Sequence, residues 1–284
     1  MSLLQLAIIA LLQGTTEWLP ISSSGHILLA ADLFQASPRD ELLINAVSNL
    51  GTLLAMLIYF RKDVAMAIGG GFELVAKPFA ENKTLSQGAR LAACILIATP
   101  LAVLIAAVYE HFLPESLLKD MRSIYVVAGT TIFFGILLWW ADVAGPRDRK
   151  EEDMTLWHAC LIGATQAIAA LLPGTSRSGI TMTAARALGY ERTEAARFSM
   201  LIGAPILAAA GLYGALGLLQ ADGSTSALTL QDGLIVTGIS FITGLASIWA
   251  LMAILKRMSF LPFVLYRFVL GAVLLLGSPL VGLF

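Results

Sequence analysis

Two short polar runs, set far apart in an apolar chain, hold the residue types that can do chemistry. The first reads Gln13-Gly14-Thr15-Thr16-Glu17-Trp18-Leu19-Pro20-Ile21-Ser22-Ser23-Ser24-Gly25-His26. Between residues 2 and 31, Glu17 is the only acid and His26 the only other group that titrates near neutrality. Gln13 and Glu17 are spaced i,i+4 and share one face of a helix, which Pro20 ends. The serines after it can cap a second helix, and Gly25 loosens the turn. The second run reads Pro173-Gly174-Thr175-Ser176-Arg177-Ser178-Gly179. Its hydroxyls, glycines and backbone N–H groups at a helix start suit an anion, and the planar fork of Arg177 matches phosphate oxygens. Joined, the runs make one pocket. Glu17, Ser23, His26 and Arg177 are the candidates for chemistry. Gln13, Ser22, Ser24, Gly25, Gly174, Thr175, Ser176 and Ser178 are the candidates for binding. A carboxylate close to phosphate repels it unless a divalent cation bridges them, so Mg²⁺ or Ca²⁺ at Glu17 is implied. Plainer readings exist for the same residues: helix caps for the serines, a backbone bond for Gln13 or His26, and a structural ion pair for Glu17 with Arg177.

The elements that must position these runs are membrane helices. The 284-residue chain is 58% hydrophobic and only 13% charged, half the charge density of a soluble domain, with a mean hydropathy of +0.82. A net charge of −1 and the lack of a basic tail argue against nucleic acid as a partner. Cys94 and Cys160 read as packing residues, not a disulfide framework. The N-terminus lacks the pattern of a cleaved leader. Six stretches are long and apolar enough to span a bilayer, at roughly 43–60, 90–109, 122–141, 195–219, 231–255 and 262–283. Residues 3–31 and 156–185 are instead broken by proline and a polar run, and their short first arms suit re-entrant hairpins. Trp139 and Trp140 read as part of an aromatic belt, and His111 and His158 as surface residues near the interfaces.

Positive residues set the orientation. Arg61, Lys62, Lys77, Lys83 and Arg90 place loop 61–90 in the cytoplasm, with Arg147, Arg149 and Lys150 of loop 142–155 and with Lys256 and Arg257. Loop 110–122 holds only Lys119 and Arg122, and loop 220–230 has no lysine or arginine, so both face outward with residues 32–42 and the C-terminus. A shift of 153 residues lays Gln13 on Gln166, Leu19 on Leu172, Pro20 on Pro173 and Ser23 on Ser176. Each half then holds one hairpin and three spans. Three is odd, so the halves are inverted and the breaks meet near the midplane. The expectation is an all-α, polytopic, single integral-membrane domain with six transmembrane helices and two re-entrant hairpins. Its inverted repeats, about 1–141 and 154–284, are linked by a charged cytoplasmic loop at 142–153.

At these motifs the chain resembles the undecaprenyl-diphosphate phosphatase, or bacitracin-resistance, family. The match rests on Gln13-x-x-x-Glu17, on Leu19-Pro20-x-Ser22-Ser23-Ser24-Gly25-His26, on Pro173-Gly-Thr-Ser-Arg177-Ser-Gly179 and on Tyr59-Phe60-Arg61-Lys62-Asp63. The resemblance covers essentially the whole chain. It implies hydrolysis of undecaprenyl diphosphate to the monophosphate that carries cell-wall precursors. It also implies a divalent metal, a bacterial inner-membrane location and a site facing the periplasm. Glu17, Ser23, His26 and Arg177 match the family's essential positions. The family takes Glu or Gln at position 13, so Gln13 departs from a second acidic metal ligand, and Ser24 stands where Thr is also common.

The placement of Ser23 three residues before His26 motivates attack by Ser23 with His26 as base, Arg177 and the metal stabilising the transferring oxygens. His26 as nucleophile, or a water activated by Glu17, remain open alternatives. Three rival readings are a lipid-phosphate flippase using the same pocket, a phosphatidate-type lipid phosphatase and an intramembrane serine protease. The phosphatidate type needs a lysine motif and a His-x-x-x-Asp that are missing here, and the protease needs its serine and histidine on separate helices. The oligomeric state is left open, with a homodimer one arrangement.

Overall fold

The computed structural model describes residues 2–23, 25–27, 30, 34, 37–76, 85–112, 114, 120–121, 123–144, 148–220 and 228–281. Ser24 lies outside the described residues, as do Lys77, Lys83, Lys119, Arg122, Arg147 and the side chain of His111. The described chain is helical, with a single isolated bridge between Arg149 and Tyr190. The helices are α1 (Leu3–Thr16), α2 (Pro38–Tyr59), α3 (Arg61–Ala76), α4 (Gln87–Ala98), α5 (Pro100–Phe112), α6 (Ile124–Ala144), α7 (Leu156–Ala164), α8 (Gln166–Leu171), α9 (Arg177–Ala187), α10 (Arg192–Gln220), α11 (Leu230–Leu255) and α12 (Leu261–Val281).

Five helical stretches are long and apolar enough to cross a membrane: Arg39–Tyr59, Gln87–Ile105, Ile124–Ala144, Arg192–Leu219 and Leu230–Leu255. They fall on five of the six expected spans. The sixth falls on Leu261–Leu276, a shorter apolar helix within α12. The stretch expected at 90–109 divides at Thr99, because Pro100 supplies no N–H to continue the ladder. Hydroxyl caps start the helices where the sequence provides them: Ser37 accepts from Asp40 N before α2, Ser86 from Ala89 N before α4, and Thr229 forms a capping box with Asp232 before α11.

Large apolar side chains such as Phe72, Leu104, Trp249 and Leu276 are exposed, as the outer surface of a membrane protein requires. The interior is knit by small residues that let backbones approach. A side chain on Gly51 of α2 would collide with the Thr237 carbonyl of α11, and one on Gly14 of α1 with Thr243 and Ser240. Packing is reciprocal between the halves: α1 lies against α11, while α7 and α8 lie against α4 and α5. One core joins both halves, with Trp18, Met56, Leu138, Met200, Leu251 and Phe260 in a single cluster.

One end of the molecule gathers the charged loops. Arg197 pairs with Asp63, Glu151 and Glu194, and Arg90 donates to the Glu152 and Met154 carbonyls. Asp142 accepts from Arg186 Nε at 3.0 Å, Arg192 Nε at 2.8 Å and the Phe260 N–H at 3.1 Å. His158, expected at the surface, is half-buried with Nδ1 2.7 Å from the Tyr190 hydroxyl. Cys94 packs in a buried cluster.

Candidate active site

Both polar runs interrupt short apolar helices, Leu3–Thr16 and Leu156–Leu171. After α1 the chain turns through residues 17–21 and becomes helical again at Ser23. After α8 it turns through the second run and starts α9 at Arg177. Each turn has one serine with positive φ just before the new helix, Ser22 at 73° and Ser176 at 69°. Such backbone is rare for a residue with a side chain and concentrates at functional sites. The turn therefore depends on Ser22, while Gly25 lies inside the helix with ordinary room for a Cβ, Val127 Cγ1 being 3.6 Å away. The two serines match one position beyond the 153-residue shift. The second run also has Gly174 at φ 86°.

The runs meet at Glu17. Its Oε1 accepts from Arg177 Nη2 at 3.1 Å, and its Oε2 accepts from Gln13 Nε2 at 2.9 Å and Ser23 Oγ at 3.0 Å. The pair is largely enclosed, with side-chain exposures of 9% for Glu17 and 14% for Arg177. Arg177 lies 5.2 Å from the centroid of the buried Trp18 ring, a cation–π contact. Gly203 of α10 makes room for it, since any side chain there would overlap the guanidinium. Arg177 Nη1 is buried and has no hydrogen-bond partner.

Gln13 is held by two acceptors, Glu17 Oε2 and Asn49 Oδ1, the latter at 2.8 Å. Both require its NH₂ group, which fixes the amide orientation. Its Oε1 is left buried without a partner. In place of the expected contact between Ser23 and His26, Ser23 bonds Glu17 and both ring nitrogens of His26 are taken. Nδ1 lies 2.8 Å from the Ser22 carbonyl and Nε2 2.6 Å from the Tyr266 hydroxyl.

The remaining candidates of the second run tie the runs together. Ser176 caps α9, accepting from Gly179 N at 3.1 Å. The Ser178 hydroxyl donates to the backbone carbonyls of Glu17 and Leu19, at 3.2 and 3.0 Å. Thr175 is buried with an unpartnered hydroxyl. Because α9 begins at Arg177, the guanidinium sits on the residue that also opens the positive end of a helix dipole.

Arg267 of α12, fully buried, completes the frame. It donates to the carbonyls of Pro20 at 3.2 Å, Thr175 at 3.0 Å, Gly174 at 3.0 Å and Thr131 at 2.8 Å. It thereby bonds one carbonyl of the first break, Pro20, and two of the second, Gly174 and Thr175. The sequence reading passed over Arg267, Tyr266, Asn49 and Gly203. An arginine inside the expected span 262–283 is by itself a functional signal; the other three become visible only through their contacts.

The model of the family described as bacitracin resistance protein BacA matches residues 6–273. A protein of Hyphomonas neptunium named undecaprenyl-diphosphatase is 63% identical over 282 residues, covering 99% of each chain. Proteins of the same name from Maricaulis maris and Dinoroseobacter shibae are 43% and 42% identical, each covering 97% of this chain and 98% of their own. The chain belongs to the bacitracin resistance protein family.

Proposed function

We propose that the protein hydrolyses undecaprenyl diphosphate to undecaprenyl phosphate and inorganic phosphate, recycling the lipid carrier of cell-wall synthesis. The observation that carries the reading is the convergence of Glu17, Ser23 and Arg177 from two separate breaks, in a chain whose full-length relatives bear the name of that activity. A terminal phosphate competes with Glu17 for Arg177 Nη2. Ser23 Oγ then attacks the terminal phosphorus and passes its proton to Glu17, whose Oε2 it bonds. The bond from phosphorus to the bridging oxygen breaks, and polyprenyl phosphate leaves. Water attacks the phosphoserine, the serine oxygen recovers the proton from Glu17, and phosphate departs. Arg177 stabilises charge on the transferring oxygens in both steps.

A divalent cation belongs to this proposal. Among the described residues no three His, Cys, Asp or Glu side chains cluster to cage a metal. The unpartnered Gln13 Oε1 beside the Glu17 carboxylate nonetheless fits a hard cation that draws its remaining oxygens from phosphate and water. Glu17 and Gln13 would hold it, and it would supply charge neutralisation for the diphosphate.

The membrane arrangement is proposed on three supports. The basic loops expected in the cytoplasm meet at one end, through Arg90, Arg192 and Arg197, which leaves the opposite, periplasmic end for the substrate. Reciprocal packing of α1 on α11 and of α7–α8 on α4–α5 supports two inverted copies in one domain. The apolar exterior supports the inner membrane of a bacterium as its place.

Phosphate release by the detergent-purified protein tests the proposal. Wild type with Mg²⁺ should hydrolyse the polyprenyl diphosphate. Chelator, Glu17→Gln and Ser23→Ala should each remove the activity from folded protein. No release by wild type under any metal condition would refute the enzyme and turn attention to a lipid-phosphate carrier.

A further inference from the structure

Tyr266 and His26 form a hydrogen-bonded chain that ends at the residue before Ser23. The Ser22 carbonyl can only accept, so His26 Nδ1, 2.8 Å away, carries the ring proton. Nε2 of the neutral ring is then an acceptor, and the Tyr266 hydroxyl 2.6 Å away donates to it. The two rings stack, with centroids 5.6 Å apart and planes 15° from parallel. Tyr266 is anchored by its neighbour Arg267, which holds the carbonyls of Pro20, Gly174 and Thr175. Ser22, at the far end of the chain, carries the strained φ of 73° that sets the direction of Ser23.

We propose that Tyr266 is a positioning residue for the reaction: it fixes the tautomer and orientation of His26, whose Nδ1–H holds the Ser22 carbonyl and so aims Ser23 at Glu17. His26 in this account is a strut, not the base. Its lone pair is capped by a phenol, and Ser23 bonds the Glu17 carboxylate instead. A strained backbone persists only where its surroundings over-determine it, and Tyr266 and His26 are two of the groups that do so here. The inference rests on the phosphatase reading for its kinetic effect, while its structural half does not.

The experiment combines kinetics on the full-length protein in detergent with ¹⁵N NMR of its imidazoles, of which the chain has three, assigned through His→Gln changes at His111 and His158. Tyr266→Phe removes the hydroxyl alone. It should shift the His26 Nε2 resonance towards that of an unbonded acceptor nitrogen and lower kcat by about fivefold to tenfold with KM unchanged. His26→Ala should lower kcat by about tenfold or more. His26→Asn keeps an N–H where Nδ1 stood but has no basic nitrogen, and it should recover most of that loss. Equal loss in His26→Asn and His26→Ala, with both proteins folded, would overturn the strut and restore His26 as a base. An unchanged His26 spectrum and unchanged kcat in Tyr266→Phe would overturn the role of Tyr266. Wild type that releases no phosphate yet shows the Nε2 shift in Tyr266→Phe would fault the phosphatase reading and not the hydrogen-bonded chain.

Discussion

The ionic centres at Asp142 and at Glu17 are both buried, and they are finished differently. At Asp142 the bonding is complete. One carboxylate oxygen takes Arg186 and Arg192, the other takes the Phe260 N–H, and the Asp142 carbonyl takes Arg186 Nη2 at 3.2 Å. The remaining arm of Arg186 donates to the Tyr190 carbonyl. At Glu17 the bonding is incomplete, because Arg177 Nη1 and Gln13 Oε1 are buried with no partner. A buried polar group left unpaired costs about 1–3 kcal/mol, and both of these atoms belong to residues that bond Glu17. The first centre joins α6, α9 and α10 to the residue that precedes α12. The second joins two broken helices at the site proposed for the diphosphate.

If that contrast is right, the largest effect on folding comes from Asp142→Ala, which strands Arg186 in the interior. The loss should be about 3–5 kcal/mol, read as a drop in Tm by the fluorescence of the five tryptophans. Next is Arg177→Ala, which should lower kcat/KM for the diphosphate by about 10²–10³, or about 2.7–4 kcal/mol, with a much smaller fall in Tm than Asp142→Ala. Asn49→Ala frees the Gln13 amide to turn over and should lower kcat/KM by about tenfold, near 1–2 kcal/mol, measured as phosphate release at limiting Mg²⁺. The smallest is Ser178→Ala, which removes the hydroxyl linking α9 to the Glu17 and Leu19 carbonyls and should cost about 0.5–1.5 kcal/mol of stability. A drop for Arg177→Ala as deep as that for Asp142→Ala would erase the distinction between the centres.

The site's two runs were legible in the sequence because ionisable and hydroxyl residues are costly in apolar stretches, and a proline in each marked the break. The five stretches long and apolar enough to cross a membrane were legible from length and apolarity alone. The frame around the site was not. Asn49 looks like any polar residue of α2 until Gln13 bonds it, and Gly203 looks like helix packing until Arg177 fills its space. The spacing of Ser23 and His26 suggested a contact that the fold spends otherwise, since only the tertiary structure brings Tyr266 to Nε2. Arg267 stands inside the expected span 262–283, and Asp142 reads in the sequence as the charge that bounds the span at 122–141. A charge inside or just past an apolar span is the same signal that singled out Glu17.

Glu17 and Arg177 are proposed to serve chemistry, while Asp142 and its arginines serve the fold. The direct measurement is Tm and phosphate release for the double variant Glu17→Gln with Arg177→Met. A buried pair replaced on both sides by neutral residues of similar size is often neutral or stabilising. The account predicts a Tm equal to or above that of wild type, with no phosphate released. A Tm lowered as far as in Asp142→Ala, or activity that survives the change, would contradict it.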